Sequence, residues 1–241
     1  MKQKFIKKSR VDNRIVVLIP CLNEAKTVAK VIKGFSKELP KAKVYVYDNG
    51  SDDETIRVAK RAGAIVKSEP NRGKGNVVRR MFRDIEADCY LMVDGDNTYM
   101  ANSAKQMCEK VLRSGADMVI GDRLSSNYYS ENKNMFRGVG NKVARILVNR
   151  RFHSDICDVL TGCRAMSRRF VKEFPAESNG FEVETEMTIF ALANGFKIEQ
   201  VPIKYKDREK GSKSKLKTVS DGVKILRRCI ADIKKYRKTR D

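Results

Sequence analysis

The chain has 241 residues, 41% of them apolar, and its 51 Lys+Arg against 30 Asp+Glu give a formal net charge of +21. That length supports one large domain or two small ones around a real hydrophobic core. No segment approaches the ~18 consecutive apolar residues of a spanning helix, and a mean hydropathy of −0.51 argues against a polytopic membrane protein.

In chain order, residues 14–20 read as a buried strand closed by Pro20, and Val28, Ile32, Phe35 and Leu39 then fall at helical spacing. Residues 43–47 form a second strand that runs into Asp48-Asn-Gly-Ser-Asp-Asp53, a cluster of turn and N-cap residues. A helix over 56–61 and a short strand over 64–67 follow. Asn71-Arg-Gly-Lys-Gly75 precedes a helix over 77–85, and a strand over 89–93 leads into Asp94. A helix over 103–112 and a strand over 117–121 complete the regular half. Beyond it come a polar loop at 127–134, a helix over 135–151, a loop at 177–180, a helix over 184–194 capped by Gly195, and a strand from Val201. Residues 206–215 are charged, with Gly and Ser among them, a composition that suits a mobile loop. Val219, Val223, Leu226, Ile230 and Ile233 mark an amphipathic helix with Lys and Arg on its other faces.

Strands alternating with helices predict an α/β fold, a mostly parallel sheet flanked by helices. Such sheets bind ligands at the carboxyl ends of their strands. Polar clusters at Asn23-Glu24, 48–53, 72–75, 94–96 and 121–123 all fall there, so an active site on that rim is expected.

Asp94-Gly-Asp96 directly follows an apolar strand. Two carboxylates so placed can hold Mg²⁺ or Mn²⁺ and leave positions for substrate phosphates; a solvated acidic turn is the plainer alternative. Residues 48–53 can bind a nucleobase or ribose, or serve only as a turn and N-cap. Residues 71–75 can set backbone N–H groups and Lys74 against phosphate, or simply start a helix. Neither a Walker loop nor a dinucleotide fingerprint occurs. Six scattered cysteines and a single His153 exclude the common zinc spacings and read as reduced thiols and a surface histidine. No apolar segment follows the basic stretch Met1–Arg10, so a secretory signal is not expected.

The motifs Ile19-Pro-Cys-Leu-Asn-Glu24, 48–53, Asp94-Gly-Asp96, Gly121-Asp-Arg123, Leu160-Thr-Gly-Cys-Arg164, Phe181-Glu-Val-Glu184 and Val201-Pro-Ile203 run in that order. Over residues 14–216 the chain resembles family 2 glycosyltransferases of GT-A fold, in the branch of polyprenyl-phosphate sugar synthases. The resemblance implies a Rossmann-like nucleotide-binding half plus an acceptor-binding half. It implies that Pro20, Asn23, Glu24, Asp48, Asn49, Lys74, Asp94 and Gly95 bind the nucleotide sugar, and that Asp94 and Asp96 hold the metal. Asp96 and Arg208 are then the catalytic pair at the donor diphosphate, and Arg123, Arg137 and Asn141 line the acceptor phosphate. Two positions depart from the family pattern: D-D-G-S reads Asp48-Asn-Gly-Ser, and aspartate-alanine-aspartate reads Asp94-Gly-Asp96. The second departure, with the Asn-Thr-Tyr after it, shifts the expected sugar from mannose to glucose or N-acetylglucosamine on UDP.

The expected reaction is metal-dependent, inverting transfer to a polyprenyl phosphate. A phosphate monoester has a second pKa of about 6, so this nucleophile needs no general base. Residues 204–241 hold fifteen Lys+Arg against five Asp+Glu, which suits an anionic membrane surface. The division expected is a basic segment 1–13, a catalytic domain 14–216 and a basic amphipathic helix 217–241. The protein is then cytoplasmic and peripheral on the cytoplasmic leaflet; the alternative for the last helix is packing on its own domain or on a second copy in a homo-oligomer. Asp94-Gly-Asp-Asn-Thr98 also resembles the opening of haloacid-dehalogenase phosphatases, and a soluble or polymeric acceptor is the other alternative. Charge alone supports a nucleic-acid-binding module, but no reading motif accompanies it, so nucleic acid is not an expected partner.

Overall fold

The computed structural model describes residues 14–125, 135–209, 215 and 218–236; the side chains of 135–139 and 218–219 lie outside that description. The expected basic segment 1–13 and polar loop 127–134 therefore fall outside the described residues, as do most of 210–217.

The strands are β1 (Ile15–Cys21), β2 (Lys43–Asp48), β3 (Ile65–Ser68), β4 (Cys89–Met92), β5 (Met118–Asp122), β6 (Arg164–Ser167) and β7 (Ile198–Pro202). They form one sheet in the order β3-β2-β1-β4-β6-β5-β7. All pairings are parallel except those of β6, which runs antiparallel to both β4 and β5. Among the described residues the helices are α1 (Val28–Glu38), α2 (Thr55–Arg61), α3 (Lys74–Asp84), α4 (Ala104–Ser114), α5 (Met135–Phe152), α6 (Arg168–Glu173), α7 (Val183–Ala193) and α8 (Thr218–Lys235).

Side chains alternate across a strand, so each central strand feeds two cores. Val16, Leu18, Tyr90 and Met92 face one side, where α3, α5, α6, α7 and α8 contribute Met81, Val148, Phe170, Met187 and Cys229. Val17, Ile19, Leu91 and Val93 face the other, against Ile32 and Phe35 of α1 and Met107 of α4. The apolar runs of β1 and β4 thus reflect burial on both faces. α8 joins this body through buried Ile225 and Cys229 and packs on α5 and α7.

The mostly parallel, helix-flanked sheet agrees with the sequence reading, and three elements differ. β6 and α6 were not expected, because β6 is four residues long and starts on an arginine. Arg164 is fully buried, its guanidinium bonded to the carbonyls of Val159 and Thr161 and the hydroxyl of Thr188. β7 covers 198–202 rather than starting at Val201. It lies at the sheet edge, where Glu199 pairs with Lys110, so Ile198 is the one apolar residue of its first half.

Phe170 sits at the middle of an aromatic cluster with Phe174, Phe190 and Phe196 at centroid distances of 5.4, 6.0 and 5.5 Å. Phe170→Ala should cost about 3–5 kcal/mol, measured by urea unfolding. A loss below about 1 kcal/mol would mean that the cluster collapses around the gap.

Candidate active site

β1, β2 and β4 are adjacent and parallel, so their carboxyl ends deliver Cys21, Asp48 and the 94–96 turn to one rim; Cys21 and Asp48 are paired in register. A cavity of about 200 Å³ opens there, lined among others by Pro20, Glu24, Asn49, Lys74, Asp94, Gly95, Asp96 and Arg208. Eight of the expected donor-site residues are thus gathered at one cavity. Asn23 and Asp48 stand just beside it.

The charges at this rim are interlocked. Lys74 Nζ lies 2.5 Å from Asp94 Oδ1 and 2.6 Å from Glu184 Oε1. Arg208 Nη2 lies 2.5 Å from Asp96 Oδ2, and Lys215 Nζ 2.6 Å from Glu24 Oε1. Burial would lower Lys74, but the Asp94 and Glu184 charges outweigh it and hold the ammonium above its ordinary value. Burial lifts the carboxyl of Glu184, and one lysine charge shared by two carboxylates does not offset it. Burial also raises Glu24, with Lys215 opposing.

Some polar atoms here are buried with no partner among the described residues: Asp48 Oδ1, Glu184 Oε2, and Nε and Nη1 of Arg208. A buried acceptor left unmade is costly, so Asp48 Oδ1 fits an N–H of a ligand. Its other oxygen takes the N–H groups of Gly50 and Ser51. The two Arg208 nitrogens fit anionic oxygens.

Both departures from the family pattern have causes inside this chain. Asn49 donates to the carbonyls of Glu69 and Asn71 and accepts from Gly73 N–H. An aspartate would face two carbonyls with no hydrogen to give. Asn49 therefore staples the 69–73 loop. At Gly95, an added Cβ would stand 2.7 Å from Cys21 Sγ, so the thiol below dictates glycine. The Asp94-Gly-Asp96 spelling therefore has a packing reason inside the fold. Asn23 likewise ties loops together, accepting Asp52 N–H on Oδ1 and donating its own N–H to Ser51.

Arg123 and Asn141 converge on a residue that the sequence did not single out. Asp158, fully buried, accepts Arg123 N–H, Nε and Nη2 and Asn141 Nδ2 at 2.7–3.3 Å. The Arg123 guanidinium lies over the rings of Tyr99 and Tyr205, 6.0 and 5.4 Å from their centroids. Neither Arg123 nor Asn141 lines the donor cavity. The two sites touch through Tyr99, whose hydroxyl accepts Gly162 N–H, while Gly162 backs onto Asp94. Arg137 lies on α5, its side chain outside the described residues. Glu184 stood in a quoted motif but without a role, and Asp158 carried no local signal, its partner being 35 positions away.

Among the described residues no three His, Cys, Asp or Glu gather as a metal cage. Asp94 and Asp96 are hard oxygen donors facing the cavity, which fits a divalent cation completing its shell with phosphate oxygens and water.

The chain is similar to glucosyl-3-phosphoglycerate synthase from Mycobacterium tuberculosis. Its crystal structure with Mn²⁺, uridine diphosphate and glucosyl-3-phosphoglycerate matches with a TM-score of 0.74 at 22% identity, covering 93% of this chain and 80% of that one. Fold and carboxylate rim define a glycosyltransferase of GT-A fold that uses a nucleotide sugar. Residues 16–174 match the model described as Glycosyl transferase family 2, and the chain belongs to that family. It is 38% identical to Glycosyltransferase AglJ of Haloferax volcanii over 213 residues, 86% of this chain and 68% of the relative. It is 25% identical to a dolichyl-phosphate hexose transferase of the same organism, covering 88% of this chain and 90% of that protein. The phosphatase reading of 94–98 is thereby set aside; Thr98 donates both its N–H and its hydroxyl to Asp96.

Two outcomes follow from this geometry. An added Cβ at Gly162 would stand 2.4 Å from Asp94 Oδ2, so Gly162→Ala should raise the donor KM with little change in melting temperature; an unchanged KM would remove Asp94 from donor binding. Burial alone would raise Asp158, but Arg123 and Asn141 hold its carboxyl below the ordinary range. A depressed folded value adds stability that is present above the unfolded pKa of about 4 and is lost as pH falls through the folded value. Asp158→Asn should therefore cost about 3–5 kcal/mol at neutral pH, with the gap to wild type narrowing below about pH 4 in urea unfolding. A gap independent of pH would contradict the ion-pair account.

Proposed function

We propose that the protein transfers a hexose from a UDP-sugar to a polyprenyl phosphate, with inversion, at the cytoplasmic face of a membrane, and so supplies a lipid-linked sugar for cell-surface glycan synthesis. The observation that carries the donor half is the set of unpartnered groups at the rim. Asp48 Oδ1 offers a buried acceptor to the base, and Arg208 Nε and Nη1 offer buried donors to the diphosphate. The support for UDP is the GT-A relative above, crystallised with that nucleotide.

The acceptor half rests on Arg123 and Asn141, to which Arg137 is added by its place on α5. Asp158 holds the Arg123 guanidinium in place, and a guanidinium is the group suited to bidentate binding of a phosphate. The dolichyl-phosphate hexose transferase relative supports a lipid phosphate. A polyprenyl phosphate arrives largely ionised, since its second pKa is about 6. It therefore needs no proton removed, and the carboxylates lining the cavity, all paired with cations, are not required as bases. The work of the chain is positioning and charge stabilisation. Asp48 orients the base, Arg123 aims the phosphate oxygen, and Arg208 leaves Asp96 for the departing diphosphate. Asp94 and Asp96 would hold Mg²⁺ or Mn²⁺, which would neutralise charge developing on that diphosphate. In-line displacement turns an α-linked donor into a β-linked product.

The test is radiolabelled transfer from a panel of UDP- and GDP-sugars to undecaprenyl phosphate, with Mg²⁺ or Mn²⁺ and with EDTA. UDP-glucose and UDP-N-acetylglucosamine are expected to give an organic-soluble, EDTA-sensitive product. Asp96→Asn should reduce its formation by about a hundred-fold or more with unchanged melting. Donor hydrolysis without lipid product would keep the nucleotide-sugar site and discard the acceptor, in favour of a soluble or polymeric one.

A further inference from the structure

Of the six large apolar side chains that the described residues expose, four lie on α5 and α8: Val143, Ile146, Val223 and Ile230. On each helix the pair is spaced to share one face, i,i+3 on α5 and i,i+7 on α8. The inner sides of both helices, Ala144 and Val148 of α5 and Cys229 of α8, enter the same core. The helices also pack on each other, so their opposite sides turn outward together.

The charge on this layer is one-sided. α5 contains five Lys or Arg and no Asp or Glu. α8 contains five Lys or Arg, and its two acids turn inward: Asp232 is buried and bonded to Arg228, and the Asp221 side chain is only 16% exposed. Lys142, Arg150, Lys224, Arg227 and Lys234 are exposed around the four apolar side chains. Of these cations only Lys224 has an acid of its own helix nearby, Asp221 at 3.9 Å; exposed apolar residues ringed by such an excess of cations match an anionic lipid interface. Two copies of this face would bring like charges together, which opposes a symmetric self-association.

A second observation points the same way. Asn141, bonded to Asp158 in the Arg123 cluster, is buried on α5, and Val143, two residues on, is exposed. One turn of α5 thus turns a residue of the Arg123 cluster inward and an apolar side chain outward, which places the outward face beside the acceptor-side cluster.

We infer that the outward faces of α5 and α8 together form the surface by which this protein docks on an anionic bilayer, the four apolar side chains entering the interface and the flanking cations meeting the head groups. This deepens the acceptor reading above and extends membrane contact from the C-terminal helix to α5.

Co-sedimentation of the full chain with vesicles of phosphatidylglycerol in phosphatidylcholine, containing no acceptor, tests it. Ile146→Glu and Ile230→Glu should each weaken binding about ten-fold or more, and added salt should weaken it further. Both side chains are exposed, so both variants should keep wild-type melting and wild-type transfer to a short, water-soluble polyprenyl phosphate. Unchanged vesicle affinity of Ile146→Glu would remove α5 from the surface and overturn the inference. Equal binding to purely zwitterionic vesicles would overturn it as well, and so would a wild-type dimer that either variant dissociates. Vesicle binding that needs both helices, with no sugar-lipid product from any donor, would uphold the docking surface and remove only the acceptor reading.

Discussion

The charge of Lys74, held between Asp94 and Glu184, joins three parts of the chain: the first turn of α3, the end of β4 and the first turn of α7. A buried ammonium with one carboxylate removed is left uncompensated, so the three groups stay together or the rim opens. Neighbouring contacts follow from this placement. Gly75 N–H bonds the carbonyl of Asn179, and a Cβ at Gly75 would stand 2.1 Å from the Ser178 carbonyl oxygen, so α3 meets the loop before α7 backbone to backbone. Glu186 accepts the N–H groups of Glu177 and Ser178, and Arg228 of α8 reaches both Glu177 and Glu186. The donor rim and the C-terminal helix are thus tied through one loop.

The net positive charge is unevenly spread over the described residues. At the rim, cations and carboxylates alternate and neutralise each other. On the outer sides of α5 and α8 lysines and arginines outnumber the acids, with Lys224 near Asp221 and Lys235 on Glu177 the paired cases. The first arrangement suits exchange of one anion for another in a cramped site, where partner-less donors are costly. The second suits a partner that is a continuous negative surface, for which loosely held, solvated cations suffice.

Much of the donor half was readable from sequence, because its signals are local. The apolar runs of β1, β2 and β4 each end in the polar residues that line the cavity, and the family motifs fall at those ends. Asp94, Asp96 and Asp48 came from such positions, and Arg208 from the family resemblance alone. What sequence reading missed has non-local causes. β6 is short and begins with a buried arginine whose partners lie in the loop before it and on α7. Asp158 acquires its meaning only from Arg123 and Asn141, and Lys215 only from Glu24. The departures at Asn49 and Gly95 looked like changes in ligand recognition, while each answers to a neighbour within the fold: two carbonyls in one case, a thiol in the other.

The sequence by itself determined the alternation of strands and helices, the family and the chemistry available at the strand ends, since periodicity and motif order are properties of neighbouring residues. Only the tertiary structure decided which charges neutralise which, which polar atoms stay unpartnered for a ligand, and which sides of α5 and α8 face outward together. Those outcomes depend on distances between residues far apart in the chain, where burial converts a modest ionic contact into a strong constraint.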